Sequence, residues 1–222
     1  MDCVFSSDDA DICRQVLGII SVIYRPLSLI ETASLTKSLE DYADNTDSLE
    51  EIIATCRSFL TIREGVVYFV HQSAKNFLLK NKSKRIHPYG VKQENLTLAS
   101  RSIQVMSRTL RRDIYSLCAP GFPIDQVEPP NPDPLAPARY SCVNWVNHIV
   151  DGMPTGQERR TQSLQDGGPV HAFLKQHYLH WLEALSLLGS VSAGILQISR
   201  LAGLVQVRIS RHCGLLNSTN TI

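Results

Sequence analysis

Charge of one sign is missing from this chain. Across 222 residues, 22 Lys and Arg stand against 21 Asp and Glu, a formal net charge of +1. That balance excludes a whole-molecule field that would draw the protein onto nucleic acid or an anionic membrane, so charge has to be read locally. Long apolar runs are missing too. The longest, Val16 to Tyr24, is nine residues and contains Gly18 and Ser21, against about 20 for a spanning helix. The acidic opening MDCVFSSDDAD has neither the basic nor the apolar region of a secretory signal. The six cysteines (Cys3, Cys13, Cys56, Cys118, Cys142, Cys213) include no C-x-x-C pair. Such thiols are expected to be reduced and partly buried, in a cytoplasmic protein, and not a disulfide frame or a zinc site. The sequons at Asn81, Asn95 and Asn217 then read as chance matches. No repeat of solenoid length is visible, which argues against ankyrin-type or WD-type arrays within the chain.

The usual catalytic signatures are also absent. A phosphate-binding turn is written G-x-x-x-x-G-K-S/T, because amides cradle the phosphates while a lysine and a hydroxyl complete the site. Gly189 and Gly194 have the glycine spacing, but Ile195 and Leu196 follow and the cation is lacking. Hydrolysis of ATP or GTP by this chain alone is not expected. His171, His177 and His180 lie close in sequence without an H-E-x-x-H, and spacings of six and three do not place all three on one helical face. His177 and His180 can share a face as a structural pair. There is no G-x-S-x-G elbow. The expectation is a non-enzyme with no catalytic residue, metal or cofactor of its own.

What is present is helical periodicity, broken once. Ile12, Val16, Ile19, Ile20 and Ile23 repeat at helical spacing behind Asp8, Asp9 and Asp11, and Arg25-Pro26 ends that helix. Ser28 and Glu31 form a capping-box pattern for a helix carrying Ile30, Ala33 and Leu35 inward. Asp47 and Glu50 suggest a further start, with Leu49, Ile52, Ile53 and Cys56 on one side. The period changes to two in FLTIREGVVYFVH, where Glu64-Gly65 suits a tight hairpin. A helix with Ala74, Phe77 and Leu78 follows and fades in KNKSKR. From there Leu96, Ile103, Met106, Leu110 and Ile114 mark one long amphipathic helix. Seven of the eleven prolines fall between Pro120 and Pro137, which makes that stretch a loop. A helix near Arg139 to Val150 follows. Then comes one with Leu174, Tyr178, Trp181, Leu185 and Leu188 on one face, and a partner from Ile195 to Val205.

These patterns predict a mainly α chain: a winged-helix-like domain over 1–86 with one short β-hairpin, then an α-helical connector over 87–206. The connector contains a Pro-rich loop at 119–137 and a polar loop at 151–169. The segment 207–222 reads as an atypical, disordered tail. Residues 1–51 carry eleven acids and three bases, whereas 57–112 carry twelve bases and two acids. A winged helix with a basic flank invites nucleic-acid binding through 75–112 as an alternative function. Against it, the helix that would enter the major groove carries Glu50 and Glu51, which repel phosphates.

The segments YRPLSLIE, CRSFLTIREGVVYFVHQSAKNFLL and FLKQHYLHWLEALSLLGSVSAGI together resemble the region just after the NACHT nucleotide-binding domain of fungal NLR-like, signal-transducing ATPase-class proteins, including the vegetative incompatibility proteins. The likeness covers roughly residues 9 to 206. It implies a winged helix and helical connector set between a nucleotide switch and downstream repeats, in a system of self-recognition and programmed cell death. It also implies a protein partner, the NACHT domain or NLR-like relatives. VHQ, at Val70, His71 and Gln72, is similar to the position where such switches place a histidine on the β-phosphate of ADP, which makes His71 the candidate nucleotide contact, reached only with a NACHT domain in trans or in an intact relative. Gln72 stands where the plant motif has an acid. The loss of likeness after Gln206 leads to the expectation of a truncated or misread gene, a non-functional product being the remaining alternative.

Overall fold

The computed structural model describes residues 10–43, 45–118, 121–153 and 164–218, with side chains as far as residue 204. Helix α1 (Ala10–Val22) leads through strand β1 (Leu27–Ser28) to α2 (Leu29–Leu35), a 3-10 segment (Lys37–Tyr42) and α3 (Thr46–Ala54). The hairpin β2 (Leu60–Arg63) and β3 (Val66–Phe69) follows, then α4 (Gln72–Asn81) and α5 (Ser83–Ile86). The remaining helices are α6 (Val91–Thr109), α7 (Arg139–Gly152), α8 (Pro169–Leu187) and α9 (Val191–Ser218). The fold is mainly α with a small antiparallel sheet, in the winged-helix order helix, strand, helix, helix, hairpin.

Local chemistry accounts for most boundaries. Ser28 and Glu31 close the capping box: the Glu31 amide donates to Ser28 Oγ at 3.2 Å, and the Ser28 amide donates to Glu31 Oε2 at 2.9 Å. At the hairpin, Glu64 and Gly65 adopt φ of 51° and 71°, the left-handed pair that lets a two-residue turn follow strand twist. The β2–β3 register sets Leu60 opposite Phe69 and Ile62 opposite Val67. On the other edge of β3, Leu27 of β1 lies opposite Val67. That third strand went unread because two residues have no periodicity.

Several expectations are corrected. Ile30 is on the solvent side of α2 and Leu29 is buried instead. The cap of α3 is Asn45, whose Oδ1 accepts from the Ser48 amide at 3.0 Å, and Asp47 is inside the first turn. The basic run KNKSKR holds the short helix α5. Helix α6 stops at Thr109: Leu110 and Ile114 are buried but belong to a turn, in which Asp113 has φ of 51° and its carboxylate accepts from the Leu117 and Cys118 amides. On α8 the inward stripe is Val170, Phe173, Trp181, Ala184 and Leu185, leaving Tyr178 exposed. On α9, Ile195 is outside while Gln197 and Leu201 face in. On α2 the buried stripe is one position off the expected face.

The Pro-rich stretch is loop with 3-10 turns at Ile124–Gln126 and Ala136–Ala138, residues 119 and 120 lying outside the described set. Asp133 anchors it, accepting from the Leu135 amide, the Tyr115 hydroxyl and Arg139 at 2.9, 2.9 and 2.6 Å. Of the polar loop, 151 and 152 complete α7 and 154–163 lie outside the described residues. Backbone helix covers 207–218 of the segment read as a tail, and 219–222 lie outside.

The buried apolar side chains form one continuous cluster from Cys13 to Leu201. Helices α6 and α7 meet closely where Gly152 faces Leu96: a Cβ there would stand 2.7 Å from Leu96 Cγ and 2.9 Å from the Lys92 carbonyl. Beneath them Trp145 packs edge-on against Trp181 and Phe173, at 5.7 and 5.6 Å between ring centroids.

Candidate functional site

Three places carry functional geometry. The first is the junction of β3 and α4, where His71 caps α4 and is exposed. Its Nδ1 accepts from the Ser73 amide at 3.2 Å and lies 2.8 Å from Ser73 Oγ. An Nδ1 that accepts carries no proton in the neutral ring, so the hydrogen sits on Nε2. The cap therefore selects the tautomer and leaves an Nε2–H donor on the exposed side of the ring. Gln72 is turned along its own helix, its Nε2 3.5 Å from Asn76 Oδ1.

The second is a groove of about 510 Å³ between α3 and β2, lined by Asp47, Glu50, Glu51 and Arg57 with Ile53 and Leu60 at its floor. Three carboxylates face one arginine. The helix that would read duplex DNA in a winged helix is thus acidic on its open side. Part of the basic complement of 57–112 is spent internally: Arg101 and Arg108 both approach Glu40 Oε1, at 2.7 and 3.6 Å.

The third is a buried polar joint that sequence reasoning missed. Glu31 is almost wholly buried, with a side chain 3% exposed. Its carboxylate takes two bonds from the Arg25 guanidinium, at 2.6 and 2.9 Å, one from the Ser28 amide, and one from the Tyr140 amide at 2.9 Å. That last bond reaches from α2 to α7. The Arg25 guanidinium also lies 5.3 Å over the Tyr140 ring, a cation–π arrangement. From Tyr140 the chain of bonds continues inward. Asn95 gives its Nδ2 to the Val91 carbonyl and accepts at Oδ1 from His148 Nδ1, 2.7 Å away. His148 Nε2 then accepts the Tyr140 hydroxyl at 2.6 Å, and Tyr140 Oη accepts the Tyr24 amide at 3.3 Å. Every member is satisfied with a neutral imidazole. Burial moves the His148 pKa down to about 4, Asp151 opposing weakly. Tyr24 adds an outer tie, donating to Asp151 Oδ2 at 2.6 Å. Burial is also the main cause that raises the Tyr24 and Tyr140 phenols, together with Asp151 for Tyr24.

Over 211 residues the chain is 46% identical to the vegetative incompatibility protein HET-E-1 of Podospora anserina, a match that takes in 90% of this chain and 16% of that protein. That likeness supports the fungal NLR-like vegetative incompatibility type. No family model and no solved structure matches it. The similarity supports a regulatory role, and the chain spans about a sixth of the length of the curated relative it matches. Among the described residues no helix is long and apolar enough to cross a membrane.

The other sequence candidates fall into structural positions. His177 and His180 are neighbours, ring centroids 5.9 Å apart, with Phe173 stacked on His177, while His171 accepts from the Gly167 amide. Gly189 turns the chain between α8 and α9, and Gly194 lies against Leu185. The joint escaped notice because its residues, from Tyr24 to Asp151, are scattered. The capping box at Ser28 and Glu31 was the one available signal, and nothing local shows that Glu31 also serves Tyr140.

Proposed function

We propose that this chain is a non-catalytic regulatory module, cytoplasmic, that packs against a NACHT nucleotide-binding domain and helps hold the ADP-bound, closed state. The observation that carries this reading is the 46% identity to a vegetative incompatibility protein over 90% of the chain. Two features of the geometry support it. The joint centred on Glu31 and Tyr140 couples the hairpin-bearing half to the helical half, so that a push on one is transmitted to the other. The capped His71 offers an Nε2–H donor to a phosphate oxygen supplied by a partner. In this reading the module is a rigid piece that clamps and then swings away, and the nucleotide chemistry belongs to the partner.

The test mixes the purified chain with the NACHT domain of a vegetative incompatibility protein loaded with labelled ADP. Slower ADP release with the chain present is the expected result, and His71→Ala is expected to restore several-fold faster release while leaving the fold intact. Release rates indifferent to the chain defeat the packing proposal; release slowed equally by the wild type and His71→Ala defeats only the phosphate contact. Nucleic-acid binding through 75–112 gains no support from the acidic α3 groove.

A further inference from the structure

Two cysteines that the sequence keeps far apart come together in the core. Cys13 is in the first turns of α1 and Cys56 follows the last turn of α3; each is 1% exposed, and neither is in a disulfide. Thr55 Oγ1 is 2.9 Å from Cys13 Sγ and 4.0 Å from Cys56 Sγ, so one hydroxyl touches both thiols. Thr55 gives its hydroxyl hydrogen to the Ile52 carbonyl at 2.6 Å, so its oxygen accepts from the Cys13 thiol. The shared hydroxyl thus brings the two sulfurs near each other where Cys13 of α1 meets the turn after α3. Cys118 is exposed and Cys142 is buried, and neither is in a disulfide.

We infer that Cys13 and Cys56 form a reversible intramolecular disulfide that locks α1 to the end of α3. The oxidant is a small-molecule disulfide of the glutathione class. One protein thiol, as thiolate, attacks a sulfur of the oxidant and expels a glutathione thiolate, which takes up the proton. The second protein thiolate attacks the protein sulfur of the mixed disulfide and expels the other glutathione. The two cysteines lose two electrons and two protons, and one glutathione disulfide becomes two glutathione thiols. The hydrogen bond to Cys13, together with burial, holds the Cys56 thiol well above the ordinary range. Oxidation of the folded chain is accordingly slow and paced by opening of the first turns of α1.

The test treats the full chain with oxidised glutathione and maps it after an acid quench. The chain carries Cys3→Ser, because Cys3 shares the tryptic peptide 1–14 with Cys13. The expected product is peptide 1–14 joined to peptide 38–57, with a loss of about 2 Da. Melting should rise by about 5–10 °C and return to its starting value on reduction. Cys118, being exposed, reports whether the oxidant was strong enough by forming a glutathione adduct. Adduct at Cys118 with both buried thiols still open to alkylation after unfolding would overturn the inference. So would a crosslink that leaves melting unchanged or lower. A Cys56→Ala variant, which keeps the site apolar, should show no oxidation-dependent rise, and a rise there would equally count against the Cys13–Cys56 bond.

Discussion

At the scale of single residues, Glu31 accepts four hydrogen bonds, more than any other side chain at the joint. Removing it leaves the Ser28 and Tyr140 amides without their acceptor and the Arg25 guanidinium without its anion. Glu31→Ala is expected to cost about 2–4 kcal/mol, read as a lower urea midpoint at unchanged slope. His148 sets a pH dependence. Its folded pKa of about 4 lies below the ordinary 6.5, so between those values the unfolded chain binds a proton that the folded chain refuses. The stabilisation is complete above about pH 6.5 and is lost as pH falls toward 4, at no more than about 1.4 kcal/mol per pH unit. Urea titrations across that window should show the slope, and His148→Gln should flatten it relative to wild type. A His148→Gln slope equal to the wild-type one would assign the effect to other groups. His71 was legible in the sequence as a junction residue. Its tautomer was not, because that depends on Ser73 folding back onto Nδ1.

Among the elements, short-range chemistry was readable and helix faces were less so. The capping box and the Glu64-Gly65 turn depend on residues within four positions of one another, and the flanking strands on a period of two, and all are legible. Strand β1 has only two residues and exists because β3 offers it an edge. Helix α6 ends before its apolar spacing does, since Leu110 and Ile114 continue a pattern that the loop around Asp113 also satisfies by burying both. Ser28→Ala should cost about 1 kcal/mol through loss of the cap, measured by thermal unfolding. Gly152→Ala tests the α6–α7 contact. The added methyl meets both a side chain and a carbonyl of α6, so a loss of about 1–3 kcal/mol is expected, seen as a lower melting temperature. An unchanged melting temperature would show that the two helices can separate freely.

For the whole molecule, the shared core and the Glu31–Tyr140 joint predict that the hairpin-bearing half and the helical half unfold together. Trp145 and Trp181 both lie in the helical half, so their fluorescence follows that half while far-UV circular dichroism follows all helices. Coincident urea transitions by the two probes are expected; separated midpoints would show two independent units. Tyr140→Phe removes the hydroxyl from the chain that joins Tyr24 and His148, and any separation of the two transitions should appear first in that variant.

The sequence by itself determined the order of helices and the hairpin, the lack of a phosphate-binding turn, and the likeness to fungal incompatibility proteins. Each of these is written in periodicity, turn chemistry or contiguous motif, which act over a few residues. Only the tertiary structure decided which face of each helix is inside, that Glu31 serves α7 as well as its own cap, and that Cys13 meets Cys56. These are contacts between residues far apart in the chain, and their partners are set by packing geometry that no local pattern encodes.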